Sequence, residues 1–327
     1  MKKLFILLIP FIFIFAACSN STASDKATTQ SSEEVLTVYT TVYPLQYFTE
    51  RIGGDLVDVK TVYPPGSDEH TYEPSQKDMI KMADSDLFIY LGLGLEGFVD
   101  QAKDILSNEG VKMIAAGEHL AIENTEQHEH DNHEHEHDHD HDHDGHSHDG
   151  HDHGDVDPHV WIDPVYGQQL AEEIKTQLIT ALPEHEEEFT ANFDQLNEEL
   201  NKLNDKFTSM VEKADKNKFI VSHAAYGYWE SRYGLEQISV AGLSTSSEPS
   251  QKQLQNIIQT ANENTLDTIY FEQNVSSKLT EIVQSEIGAE SLQLHNLAVL
   301  TEADINEGEN YFTLMERNID NLEKGLN

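Results

Sequence analysis

The sequence predicts an α/β fold made of two βα lobes with parallel sheets, joined by a long rigid backbone helix. Three observations predict it. Short β-rich runs alternate with helical stretches through the first half of the 327-residue chain. The same alternation returns in the second half. Between them lies one long amphipathic run without Gly or Pro. The expected segments are an N-terminal lobe over 35–184, a linking helix over 185–217 and a C-terminal lobe over 218–327.

Residues 35–43, VLTVYTTVY, are dense in β-branched and aromatic side chains and read as the first strand. A helical stretch through Phe48 and Ile52 follows, stopped by Gly53 and Gly54. VDVKTVYP (57–64) reads as a second strand, ended by Pro64 and Pro65. A short helix is expected over 74–83, with Met79, Ile80, Met82 and Ala83 as its apolar face. LFIYLGLG (87–94) and VKMIAAG (111–117) read as short buried strands bounded by glycines. After an insertion at 126–155, order is expected to resume at DPHVWIDP (157–164), with a helix over 166–180. From 185 to about 211, Phe189, Phe193, Leu196, Leu200, Leu203, Phe207 and Met210 recur at spacings of 4, 3, 4, 3, 4 and 3. That is one face of a helix about 40 Å long at ~1.5 Å per residue. The same register suits a coiled-coil dimer, but one helix bracing two lobes accounts for it within a monomer. In the second half, strands are expected at 219–223, 238–243, 268–273 and 291–297. Helices are expected at 249–262, at 276–287 with Gly288 as its stop, and at 311–326.

The ends and the insertion carry different information. Lys2 and Lys3 precede an apolar run, and Ala16, Ala17 and Cys18 follow it. This reads as an export signal over 1–17, too short for an ordinary membrane span. FAAC at 15–18 resembles a bacterial lipobox with Phe15 in place of the usual Leu, which implies lipid attachment at Cys18, the chain's only cysteine. Residues 18–34 then form a small, polar, flexible tether. No second cysteine exists for an intramolecular disulfide. Within 128–153 lie 12 of the 18 histidines, nearly all alternating with Asp or Glu. Such a segment builds no core, but it suits borderline transition metals. Twenty basic against sixty acidic residues give a net charge of −40, which excludes nucleic acid as a natural partner.

Three histidines outside the insertion stand in loops where a cleft would gather them. His70 follows YPPGSDE after a strand, His159 lies between two prolines in DPHVWIDP, and His223 ends the strand FIVSH. Loops beyond the carboxyl ends of parallel strands converge on a crevice, so a metal site in the interlobe cleft is expected. Three imidazoles suit Zn2+. Asp157, Asp163 and Glu272 are candidate acceptors for the ring N–H groups that do not face the metal. Three His plus water would also suit a zinc hydrolase. However, outside the His-rich insertion the chain has no HExxH, and it has no GxSxG, so no enzyme is expected.

The motifs YPPGSDEHTYEPS (63–75), DPHVWIDP, FIVSHAAYGY (219–228), AGLSTSSEPS (241–250) and YFEQNVSSK (270–278) resemble, in this order, the solute-binding lipoproteins of bacterial zinc and manganese ABC transporters. The resemblance covers 18–327. It implies a metal carrier on the extracytoplasmic face of the cell membrane of a Gram-positive bacterium, anchored through Cys18. Its partners would be an ABC permease and the associated ATPase. Adhesion has also been attached to this family. Carried onto this chain, the ligands are His70, His159 and His223. Manganese members usually have Glu at the third position, so His223 points to Zn2+ as the transported ligand. The His-rich insertion likewise marks the zinc branch. Many relatives add an acidic ligand in a stretch resembling LNPLEGLT; here the stretch is LHNLAVLT (294–301), with Ala298 at the acidic position. The fourth donor is then water, a neighbouring carboxylate or a histidine of the insertion. Glu69, beside His70, is the preferred protein candidate, with His295 a more remote one.

Overall fold

A computed structural model describes residues 35–122, 156–274 and 277–327. The export signal, Cys18 with its tether, the insertion at 126–155 and Ser276 lie outside the described residues. In chain order the elements are β1 (Leu36–Thr40), α1 (Tyr43–Gly53), β2 (Val57–Thr61), α2 (Gln76–Ala83), β3 (Leu87–Tyr90), α3 (Val99–Asn108) and β4 (Lys112–Ala115). There follow α4 (Pro164–Ala181) and α5 (Glu186–Val211), then β5 (Lys218–Val221), α6 (Gly227–Tyr233), β6 (Glu236–Ser239) and α7 (Gln251–Glu263). β7 (Thr268–Phe271), α8 (Lys278–Ile287), β8 (Glu290–Gln293), α9 (Glu302–Glu307) and α10 (Tyr311–Leu326) complete the chain.

The strands form two four-stranded sheets ordered β2-β1-β3-β4 and β6-β5-β7-β8. All their pairings are parallel, with Thr40 level with Thr61 and Ile89, and Val221 level with Ser239 and Tyr270. The expected α/β class with two parallel sheets is what the structure shows. In each sheet the order reverses beside the first strand, between β1 and β3 and between β5 and β7. In parallel sheets the loops beyond the carboxyl ends of the strands gather ligand groups at such a point.

Every strand is shorter than the apolar run that announced it. β1 stops at Thr40 because Pro44 fixes the first turn of α1, whose missing N–H is no loss there. In α5, Phe189, Phe193, Leu196, Leu200, Leu203, Phe207 and Met210 are all buried, the set the periodicity picked out. Each such side chain is worth about 1.5–3 kcal/mol in burial. The helix packs on α4 and α1 and also meets α6 and α10, elements flanking the second sheet. A paired-nitrogen bridge from Arg51 to Glu199 ties α1 to α5 at 2.9 and 2.8 Å. Phe207 stacks on Tyr233 of α6, ring centroids 4.2 Å apart.

A buried 3-10 turn over Val160–Ile162 joins the two halves of the main core. Trp161 Nε1 donates to the Asn296 carbonyl (2.7 Å), and the Trp161 carbonyl accepts from Tyr311 Oη (2.8 Å). Trp229 Nε1 donates to the Ile162 carbonyl (3.0 Å). With both tryptophans fully buried and bonded, this turn holds a fixed position between the sheets.

Candidate metal centre

His70 belongs to the loop leaving β2. Asp68 shapes it as an Asx turn, its Oδ1 accepting the His70 N–H (2.9 Å). Tyr63 Oη donates to the Glu69 carbonyl (3.3 Å), and Glu69 itself is buried. His159 does not follow a strand. It caps the 3-10 turn, and Asp157 Oδ1 accepts both its backbone N–H (2.9 Å) and its Nδ1–H (2.7 Å). Gly227 permits this, since a Cβ there would sit 2.8 Å from Asp157 Oδ2. His223 lies just beyond β5, and its Nδ1 meets Glu272 Oε1, just beyond neighbouring β7, at 2.5 Å.

These bonds fix the tautomers. A carboxylate on Nδ1 puts the ring proton there and leaves Nε2 as a bare acceptor on both His159 and His223. Yet His159 Nε2 lies 3.4 Å from His223 Nε2 and 3.2 Å from His70 Nε2. Acceptors converging this closely repel one another unless a proton or a metal ion lies among them. The spacing is also compatible with zinc: Zn–N bonds of about 2.0–2.1 Å at tetrahedral angles put neighbouring nitrogens about 3.3 Å apart. Glu69 Oε1 lies 3.9 Å from His70 Nε2, and one donor atom from each of Glu69, His70, His159 and His223 lies within 4.8 Å of the others. The structure thus brings together all four residues expected from the sequence.

The electrostatics act differently on the ligating groups. Burial, together with the neighbouring His159 and His223, lowers the His70 pKa to about 3, so its ring stays neutral. Burial also disfavours a charged His223, but the carboxylates of Glu272, Glu69 and Asp157 outweigh it and raise its pKa. Burial pushes Glu69 up to about 7.

Two residues considered from sequence stand elsewhere. Asp163 orients no histidine: Oδ1 caps α4 by accepting the Val165 N–H (2.8 Å), and Oδ2 pairs with Arg232 Nε (2.8 Å). An Asp directly before Pro is a helix-start signal, which could have revealed this role. His295 turns away from the cluster. Its Nδ1 accepts the Leu297 N–H (2.9 Å) and its Nε2 meets Asp304 (3.2 Å). Ala298 offers only backbone, its carbonyl accepting the Tyr43 N–H (2.8 Å). Asn296 and Asp68, which arrange the site, lie within LHNLAVLT and YPPGSDEHTYEPS, but no local signal in those stretches singles them out.

Two parallel α/β sheets with a buried histidine cluster between them define a metal-binding protein of the solute-binding class. The chain belongs to the family of the zinc-uptake complex component A, periplasmic (ZnuA), whose pattern matches residues 38–325. It is 34% identical over 325 residues to the high-affinity zinc uptake system protein ZnuA of Bacillus subtilis strain 168, covering 99% of this chain and 97% of that one. It is 34% identical over 326 residues to the zinc-binding lipoprotein AdcA of Streptococcus pneumoniae R6, covering 99% of this chain. The chain spans only 61% of the length of that pneumococcal protein. The Zn(II)-bound ZnuA-like domain of S. pneumoniae AdcA matches with a TM-score of 0.71 at 31% identity, covering 89% of this chain and 99% of that domain.

Proposed function

We propose that this protein captures Zn2+ outside the cytoplasm and hands it to an ABC permease for uptake. Zinc is its cargo, not a catalytic cofactor. The observation that carries the reading is the convergence of three Nε2 atoms at 3.2 and 3.4 Å, two of them held as bare acceptors by carboxylates. His70, His159 and His223 are its zinc ligands, and Glu69 is the fourth donor in the absence of an acidic side chain at Ala298. The donor set favours Zn2+ over Mn2+, since imidazole nitrogens suit zinc and carboxylate-rich sites suit manganese. The proposed setting is the outer face of the cell membrane, with Cys18 lipidated. Among the described residues no helix is long and apolar enough to cross a membrane. The partners are the permease and its ATPase. The carrier needs no catalytic residue.

A competition titration of residues 26–327 lacking 126–155, against Zn2+ and Mn2+, tests this with a His223→Ala counterpart. One tight Zn2+ per chain, weak Mn2+ and a large loss in the variant are expected. Tight binding that disappears with the 126–155 deletion, or a preference for Mn2+, would refute the reading.

A further inference from the structure

Asn296 lies in the loop after β8 and is fully buried, and every polar atom it owns is engaged. Its Nδ2 donates to Glu69 Oε1 (3.2 Å) and to Glu272 Oε2 (2.9 Å), one hydrogen for each carboxylate. Its Oδ1 accepts from Gln273 Nε2 (2.8 Å) and from the Ala298 N–H (3.1 Å). Two donors on Oδ1 fix the orientation of the amide, so Nδ2 must face the carboxylates. The main chain is pinned as well. The Asn296 N–H donates to Gln273 Oε1 (3.3 Å), and its carbonyl accepts from Trp161 Nε1 (2.7 Å). The next residue, Leu297, is held at φ 60°, a left-handed conformation that an apolar L-residue adopts only when its surroundings impose it.

The two carboxylates come from opposite sides of the cleft and serve different histidines. Glu69 follows β2 of the first sheet and adjoins His70. Glu272 follows β7 of the second sheet and holds the His223 ring through Nδ1. Left alone, two buried carboxylates this close would repel and turn apart. A neutral side chain with two hydrogens on one nitrogen satisfies both without adding charge.

We propose that Asn296 is a positioning residue of the zinc site: its amide clamps Glu69 and Glu272 together, aiming one at the metal and the other at His223. This rests on the reading of Glu69 as a zinc donor. Asn296 does not touch the metal. It sets the angle of one donor and, through Glu272, the tautomer of another.

The test is a zinc-chelator competition titration on the full chain carrying Asn296→Ala, Asn296→Ser, Glu69→Ala, and Asn296→Ala combined with Glu69→Ala. Asn296→Ser guards against misfolding, because its hydroxyl still turns the loop onto the Ala298 N–H but is too short to reach the carboxylates. Both single Asn296 variants are expected to lose ten- to hundredfold in Zn2+ affinity, the usual cost of losing an outer partner of a metal ligand. Adding Asn296→Ala to Glu69→Ala should cost at most a third of that factor, because one arm of the clamp has already gone. With one equivalent of Co2+, the ligand-field absorption of Asn296→Ser should move toward that of Glu69→Ala. A merely structural asparagine would leave that spectrum unchanged. Wild-type affinity in Asn296→Ser, or losses that multiply independently, would overturn this inference alone. Wild-type affinity in Glu69→Ala would overturn the Glu69 donor and the inference together.

Discussion

Replacing Glu69 with Gln should make the metal-free protein more stable while making it a worse zinc binder. Burial raises the Glu69 pKa from the ordinary 4.5 to about 7. The native state therefore holds this proton more tightly than the unfolded chain does, and stability falls as pH rises through about 7. At about 1.36 kcal/mol per pH unit, the ionised carboxylate costs about 3 kcal/mol at pH 8. Gln is isosteric and neutral, and its carbonyl still accepts from Asn296 Nδ2. The substitution should recover most of that cost at pH 8, but under about 1 kcal/mol at pH 5, where Glu69 is already protonated in the fold. For a domain of this size the gain corresponds to a melting temperature about 5–10 °C higher at pH 8. Zinc reverses the order. Losing a charged donor weakens Zn2+ by at least about tenfold, so the metal adds less to the melting temperature of the variant than to that of the wild type. The assay is a pair of thermal melts at pH 5 and pH 8, each with chelator and with excess Zn2+. A variant less stable than wild type at pH 8 without metal, or an equal gain at both pH values, would refute the reasoning.

Three further outcomes are expected. Glu272→Gln forces an amide to present an oxygen to one neighbour and an NH2 to the other, so either His223 or Asn296 loses its partner; zinc affinity should fall ten- to hundredfold in a chelator competition. Gly227→Ala places a Cβ 2.8 Å from Asp157 Oδ2, displacing the carboxylate that holds His159. It should cost about 1–3 kcal/mol in a denaturant melt and weaken zinc as well. Affinity should also fall with pH. The raised His223 pKa and the Glu69 pKa of about 7 let protons compete from neutrality downward, whereas His70, lowered to about 3, takes no part above pH 5. An affinity unchanged between pH 7.5 and pH 5 would contradict this.

Much of this architecture was legible because its signals are local or periodic. The apolar face of α5 repeats with the helical period over seven side chains, and the fold buries those same seven. Strand ends were harder. SLQLHNL and TIYFEQ look uniformly β-rich, yet β8 ends at Gln293 and β7 at Phe271, so that Asn296 and Glu272 can turn into the cleft. The helix α9 spans only Glu302–Glu307, too short to show a period, and α6 is little longer. His70, His159 and His223 were visible through the motifs around them. Which acid meets which imidazole was harder to read, because a pair such as His223 and Glu272 joins loops 49 residues apart. Asn296 shows the same limit: its neighbours Glu69 and Glu272 stand 227 and 24 residues away.

The most direct test of the central claim is zinc K-edge X-ray absorption on the protein lacking 126–155 and loaded with one equivalent of Zn2+. Three imidazoles and one oxygen at about 2.0–2.1 Å are predicted, with the oxygen shell altered in Glu69→Ala. Two or fewer imidazoles, or a spectrum unchanged in His223→Ala, would contradict the account.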